Sequence, residues 1–369
     1  MRIIVNIIRL LTGALFIFSG LVKAIDPLGL AYKMQEFFEA WGNGGFMVSM
    51  MRGLNDYAVP FSIIMITLEV AVGVALLLGW HKKITVWILF LLMLFFTFLT
   101  SYVLFSGKIR ACGCFGDCIP LTPIQTFTKD IILLLFTIIL IIGIKYIHPL
   151  VKPFMNATIA ILCIAATILL QWYVLNHLPI KDCLPFKPGN DILALRKMPA
   201  DAVPDKYDYT FIYQKNGEKK DFKMTDLPDS SWEFVDRKQI LIEKGKNNIP
   251  LINDFMLSTA DGTDSTDAIL SQPGRYFILF VNNPDDIKAG YHADIDIARK
   301  ILSESIPLYF VTSQREATTQ RYSSLHPIVF TCDFTAIKTA ARSTPTLYEM
   351  KGSIIQQKWG KADIADVNF

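Results

Sequence analysis

Five apolar runs, near residues 4–22, 57–79, 84–105, 127–147 and 154–176, constrain this chain more than any other feature. Each is close to the roughly 20 residues that a helix needs to cross a hydrocarbon core. The reading is five transmembrane helices. A signal peptide is the alternative for the first run, because Arg2 and an apolar core fit one, but the run continues into Lys23 and Asp26 without a small-residue cleavage site. With 52% hydrophobic and 19% charged residues, the chain is too apolar for an ordinary soluble enzyme of 369 residues. After Pro179 the composition turns mixed, Lys- and Asp-rich and rich in turn residues, which divides a membrane half from a water-soluble half.

Orientation follows from the short loops. Arg2 and Arg9, then His81, Lys82 and Lys83, then Lys145, His148 and Lys152 alternate along the chain, so all three basic groups can face the cytoplasm. The loop of residues 106–126 and everything after the fifth span then lie outside, despite Lys108 and Arg110. In a bacterial inner membrane that side is the oxidising periplasm. The net charge of +3 is small and forms no basic stripe with interleaved aromatics, which argues against nucleic-acid binding, and phosphate-binding glycine loops are absent.

Half of the six cysteines sit in one run, CGCFGDC, as Cys112, Cys114 and Cys118. Cys183 emerges on the same side just beyond the fifth span. Three chemistries suit such crowding: thiol–disulfide exchange, a fixed disulfide, or a metal held by thiolates. Four cysteines allow three pairings, among which the sequence does not choose. Cys112 with Cys114 would close a strained ring, so Cys114 with Cys118, or an exchange involving Cys183, is geometrically easier. Metal is the weakest of the three, because structural zinc usually draws on C-x-x-C knuckles. Cys163, inside the fifth span, reads as a small packing residue.

Glu69 falls mid-span in ITLEVAVGVALLLGW, where an ionised carboxylate costs several kcal/mol unless paired, and it is a functional-site candidate. By itself it is a weak case for a transporter, since no inverted repeat accompanies it. Lys129 and Asp130 open the fourth span just after the cysteine loop, and Lys23 and Asp26 close the first. These four read as snorkelling anchors, with Lys129 and Asp130 kept beside Glu69 as embedded charges of interest.

FIFSGLVKAIDP, LEVAVGVALLLGW and CGCFGD together resemble the DoxX/MauE family of small membrane proteins over about residues 1–150. The resemblance implies a four-helix bundle, implicated in disulfide formation in an exported partner alongside a thioredoxin-like companion. Cys112 and Cys114 match the motif, and Cys118 is an addition. Related bundle logic in vitamin K epoxide reductase relatives raises quinone as the cofactor.

The soluble half divides again. Residues 178–250 read as a small β-rich connector, with YDYTFIYQ, the turn KNGE, DFKM and WEFVDRKQILIE. Over 251–369 strands alternate with helices, ending in a hairpin, as expected for an α/β domain with a mostly parallel sheet. DFML, FILFVNN and RSTPTLYEMKGSIIQQKW resemble a thioredoxin-like domain, which implies that Pro345 is its cis-proline. Where that family carries C-x-x-C this chain has NNPDDIKAG, so the resemblance implies fold rather than dithiol activity. Cys332, at the end of an apolar strand, reads as a small buried residue. Thr344 and Pro345 keep an edge suited to holding an extended peptide.

The expected architecture is therefore a four-helix membrane domain (1–150), a fifth transmembrane helix (151–177), a β-rich periplasmic connector (178–250) and a thioredoxin-like periplasmic domain (251–369). The expected function is a membrane thiol–disulfide oxidoreductase acting through Cys112, Cys114, Cys118 and Cys183 on an exported protein or a periplasmic thiol–disulfide partner. The alternative is a non-enzymatic scaffold with static disulfides, embedded in membrane lipid and presenting a binding edge.

Overall fold

The computed structural model describes residues 1–42, 48–109, 112–243, 245–288 and 290–367. Among them, five helices are long and apolar enough to cross a membrane: α1 (Arg2–Ala24), α4 (Ala58–Leu78), α5 (Lys82–Ser106), α6 (Pro123–Ile142) and α7 (Pro153–Asn176). Between α1 and α4 lie α2 (Pro27–Gly42) and α3 (Val48–Asn55), neither long enough to span. Residues 27–56 carried no expectation, since hydropathy alone says nothing about short half-polar helices.

The fourth span starts earlier than its hydropathy suggests. Thr122 accepts a hydrogen bond from the Gln125 backbone while the Gln125 side chain accepts one from Thr122 N, a capping box that begins α6 at Pro123. Lys129 and Asp130 therefore sit about two turns inside the helix rather than at its opening.

Helices α1 and α4 meet through glycine. A Cβ on Gly73 would come within 2.9 Å of the Gly13 carbonyl oxygen, and one on Gly20 within 2.5 Å of Val70 Cγ2. Small residues let two backbones approach where lipid offers no hydrophobic drive for association. At the end remote from the cysteine loop, Arg9 donates to the carbonyls of Leu76 and His148 at 2.8 and 3.0 Å. It is buried there and caps the C-terminus of α4.

The C-terminal region is β-rich. After the short helix α8 (Ile192–Leu195), the strands β1 (Lys206–Lys215), β2 (Glu218–Lys223) and β3 (Glu233–Glu243) form an antiparallel sheet in the order β2-β1-β3. The rest comprises α9 (Thr266–Leu270), β4 (Arg275–Phe280), α10 (Ala293–Ser303), β5 (Leu308–Thr312), α11 (Arg315–Arg321), β6 (Ile328–Thr331), α12 (Phe334–Ala340), β7 (Thr346–Lys351) and β8 (Ile354–Trp359). Its sheet runs β6-β5-β4-β7-β8, parallel among β4, β5 and β6 and antiparallel on to β7 and β8.

Helices cover both faces of this sheet, which is why β4 is a continuous apolar run. Phe277 and Leu279 pack with Ile297 and Ile301 of α10, while Ile278 and Phe280 pack with Ile337 and Ala340 of α12. Phe186 and Ile192 join the α12 face, and Ile192 N bonds to Ser353 O. The chain leaving α7 thus packs on this core through Phe186 and Ile192.

Replacing Gly73 by valine should separate α1 from α4 and cost about 1–3 kcal/mol. Gly53→Ala, where an added Cβ meets nothing within 4 Å, should be near neutral. Thermal unfolding in detergent reads both.

Candidate functional site

The loop between α5 and α6 owes its shape to two glycines. Gly113 (φ +71°) and Gly116 (φ +59°) adopt the left-handed conformation that side chains disfavour, which folds CGCFGDC into a compact turn closed by a 3-10 turn over Gly116–Cys118. Ser19 Oγ of α1 donates to the Cys114 carbonyl at 3.0 Å and pins the turn to the bundle. Cys118 is bonded to Cys183. That pairing ties the loop to the chain leaving α7 and chooses among the pairings that the sequence left open.

Cys112 and Cys114 are free and adjacent. The two thiols are hydrogen-bond partners of each other. That bond, together with burial, pushes Cys112 well above the ordinary thiol range. The same bond lowers Cys114 and outweighs burial, helped by the Lys129 and Lys23 cations. Cys114 is also the more exposed of the two. The two thiols are therefore set apart, with the thiolate form favoured at Cys114 over Cys112.

The embedded charges gather around this pair. Lys23 Nζ contacts Glu69 Oε2 at 2.7 Å, with both side chains almost wholly buried. Lys129 Nζ contacts Asp130 Oδ1 at 2.8 Å and lies 5.0 Å from the centre of the Phe115 ring. Snorkelling is thus corrected for Lys23 and Lys129: both ammonium groups turn inward, because a carboxylate is available there and hydrocarbon offers none. Asp130 is 1% exposed, and its Oδ2 has no hydrogen-bond partner among the described residues.

Cys112, Cys114, Lys23, Glu69, Lys129 and Asp130 all line one cavity of about 300 Å³, whose remaining walls are almost entirely apolar. Phe37 and Trp41 of α2, ring centres 5.5 Å apart, close it on one side and pack in the cluster that holds Cys112. The run EFFEAW was the available signal for α2, but its periodicity is too short to separate a cavity wall from an ordinary core face.

A second set of contacts joins the halves. Arg342, buried in the turn before Thr344–Pro345, binds Asp26 at 3.0 Å and Asp117 of the cysteine loop at 2.8 Å. Burial acts to lower the guanidinium pKa, but Asp26 and Asp117 outweigh it and raise it. Lys358 pairs with Asp182 at 2.7 Å beside the disulfide, and Lys338 donates to Gln35 of α2 at 2.7 Å. Asp26 is thus a docking residue, not an anchor. Arg342 and Asp117 went unnoticed in the sequence, where an arginine and an aspartate 225 residues apart carry no mutual signal.

The Thr344–Pro345 peptide is cis, with Pro345 buried and Thr344 half-buried. Cys332 is buried at the end of β6 and its thiol is pushed up to about 11 by burial, so it is a packing residue. Cys163 is half-buried on α7 and does not line the thiol cavity. Among the described residues no group of three or more His, Cys, Asp or Glu could hold a metal ion, and the 118–183 bond removes two of the four thiolates such a site would need.

Comparison with known proteins finds a family model in each half of the chain. Residues 1–144 match the family model described as methylamine utilisation protein MauE. Residues 207–244 match a domain of unknown function, DUF8463. Protein TlpB of Flavobacterium psychrophilum is 34% identical over 129 residues, which are 34% of this chain and 33% of that protein. The match therefore spans about a third of that relative. No solved structure matches the chain.

Two outcomes follow from the geometry. Because Cys114 is lowered, its alkylation should already be fast below the ordinary thiol range. Lys129→Gln should move the rate-against-pH profile upward, and Lys129→Arg should restore it; iodoacetamide labelling with peptide mapping reads the shift. Glu69→Gln should cost about 3–5 kcal/mol by stranding a buried ammonium, and the double change Lys23→Met, Glu69→Leu should recover most of that in detergent unfolding.

Proposed function

We propose that this chain is a membrane thiol–disulfide component acting on exported proteins or on a periplasmic thiol–disulfide partner, with Cys112 and Cys114 as its reactive pair. The observation that carries the reading is the pair of free cysteines, Cys112 raised and Cys114 lowered, held near Lys129 in a turn that two glycines make possible. Cys114, the lowered and more exposed of the two thiols, attacks a disulfide of the partner as its thiolate. Cys112 then displaces the mixed disulfide, so the partner leaves as a dithiol and a Cys112–Cys114 bond forms. Run in reverse, the same steps take two electrons and two protons from a partner dithiol and oxidise it. The small ring makes that bond labile, which suits exchange rather than structure.

Cys118 and Cys183 act differently in this reading. Their bond is the fixed one, which narrows the reactive set from four cysteines to two. It supports an orientation in which the cysteine loop and the C-terminal region share the periplasmic side of a bacterial inner membrane, because such bonds persist in oxidising compartments.

Residues 1–150 serve as a MauE-like bundle, 151–177 as a fifth span, 178–250 as a connector and 251–369 as a thioredoxin-like domain. Three parallel strands, an antiparallel hairpin and cis Pro345 support the last assignment. The segment after β4, where such a domain would carry its dithiol, begins Asn282, Asn283, Pro284, Asp285, Asp286 and has no sulfur. This domain is a redox-inactive cap. Its Thr344–Pro345 edge is turned to docking, with Arg342 next to it gripping the cysteine loop.

The decisive experiment replaces Cys112 and Cys114 by serine, singly and together, in cells. Each change should leave thiol-dependent exported proteins in an altered redox state, whereas Cys118→Ser should act mainly by lowering the amount of folded chain. An unchanged redox state of every exported protein in the double variant sinks the proposal.

A further inference from the structure

The cavity behind the thiol pair has two unlike ends. Phe61 and Ile64 of α4 and Phe95 of α5 line it, yet they are 40%, 62% and 40% exposed. On helices that cross a bilayer these three side chains meet lipid, so the cavity opens sideways between α4 and α5. The inner end carries Cys112, Cys114, Lys23, Glu69, Lys129 and Asp130, and the passage between is walled by residues such as Leu68, Met93 and Phe96.

The polar end is unfinished. Lys23 and Glu69 satisfy each other and Lys129 holds Asp130 Oδ1, but Asp130 Oδ2 is buried with no hydrogen-bond partner among the described residues. A buried carboxylate oxygen without a donor is costly, and the costs vanish when a ligand brings a hydroxyl. An aqueous redox carrier does not suit apolar walls and a lipid-side mouth. A lipid tail suits the walls but brings no donor and accepts no electrons.

We propose that this cavity binds a membrane-borne quinone, which enters from the bilayer between Phe61 and Ile64 on one side and Phe95 on the other and oxidises Cys112 and Cys114. A ring that carries carbonyls when oxidised can accept from the Lys129 ammonium, and the same ring reduced can donate a hydroxyl to Asp130 Oδ2. Its apolar chain trails through the mouth into the bilayer. In the step itself one electron pair from the two sulfurs becomes the Cys112–Cys114 bond and the other passes to the ring. The proton from Cys112 and one more from the medium complete the hydroquinone.

This inference rests on the thiol–disulfide reading of the pair, and the test separates the two. Full-length reduced protein in lipid nanodiscs is mixed either with decylubiquinone or with oxidised glutathione, while hydroquinone absorbance and the alkylation state of each cysteine are followed. The expected result is one hydroquinone per chain, appearing as Cys112 and Cys114 become bonded. Ile64→Trp, a lipid-facing change, should lower the ratio of quinone to glutathione oxidation rates at least ten-fold, and Asp130→Asn should lower it in the same direction. Oxidation by glutathione without hydroquinone overturns the inference and leaves the thiol reading standing. A pair inert to both oxidants overturns both. Hydroquinone formed at an unchanged rate ratio in both variants also overturns the inference, because the quinone then reacts elsewhere.

Discussion

A carboxylate in the middle of an apolar helix has few ways to exist, and the way chosen here sets the rest of the molecule. Glu69 of α4 is held at 2.7 Å by Lys23, from the last turn of α1, with both almost fully buried. That contact fixes how far α1 runs along α4, which in turn places Ser19 against the Cys114 carbonyl and Asp26 beneath Arg342. Apolar residues of the same volume could stabilise the helix pair as well or better. The ion pair therefore contributes position and local field more than net stability: Lys23 is one of the cations that lower Cys114.

The same logic governs the junction between the halves. Arg342 is only 5% exposed and holds two carboxylates from two different elements of the membrane half, so neither aspartate can move without stranding charge. The Cys118–Cys183 bond adds a covalent tie across 65 residues, worth about 4 kcal/mol in the chain-entropy account. Together they hold the cysteine loop between the bundle and the C-terminal region. Cys112 and Cys114, lying in the same short loop but free, keep the freedom to react that Cys118 gave up.

How much of this could be read from the sequence depends on the range over which each signal acts. The five apolar helices were legible because hydropathy is a local sum, and the strands from Tyr276 to Trp359 because apolar runs and turn residues alternate there. The start of α6 was misplaced because a Thr-Pro-x-Gln cap outweighs hydropathy at a helix end. Lys23 and Lys129 were expected to seek water, since sequence shows the cost of burying a charge but not the partner that offsets it. The cavity was invisible for the same reason: it is assembled from α1, α2, α4, α5, α6 and the loop at once. Among three possible cysteine pairings the sequence did not choose, because only the fold brings Cys183 to Cys118.

The central claim is a division of labour among four cysteines, and differential alkylation in native membranes, with peptide mapping of each sulfur, tests it most directly. The account predicts a Cys118–Cys183 peptide that is bonded under every condition, together with Cys112 and Cys114 that shift jointly between thiol and disulfide as the redox state of the membrane is changed. Cys112 and Cys114 that stay reduced throughout while Cys118 and Cys183 cycle would contradict it.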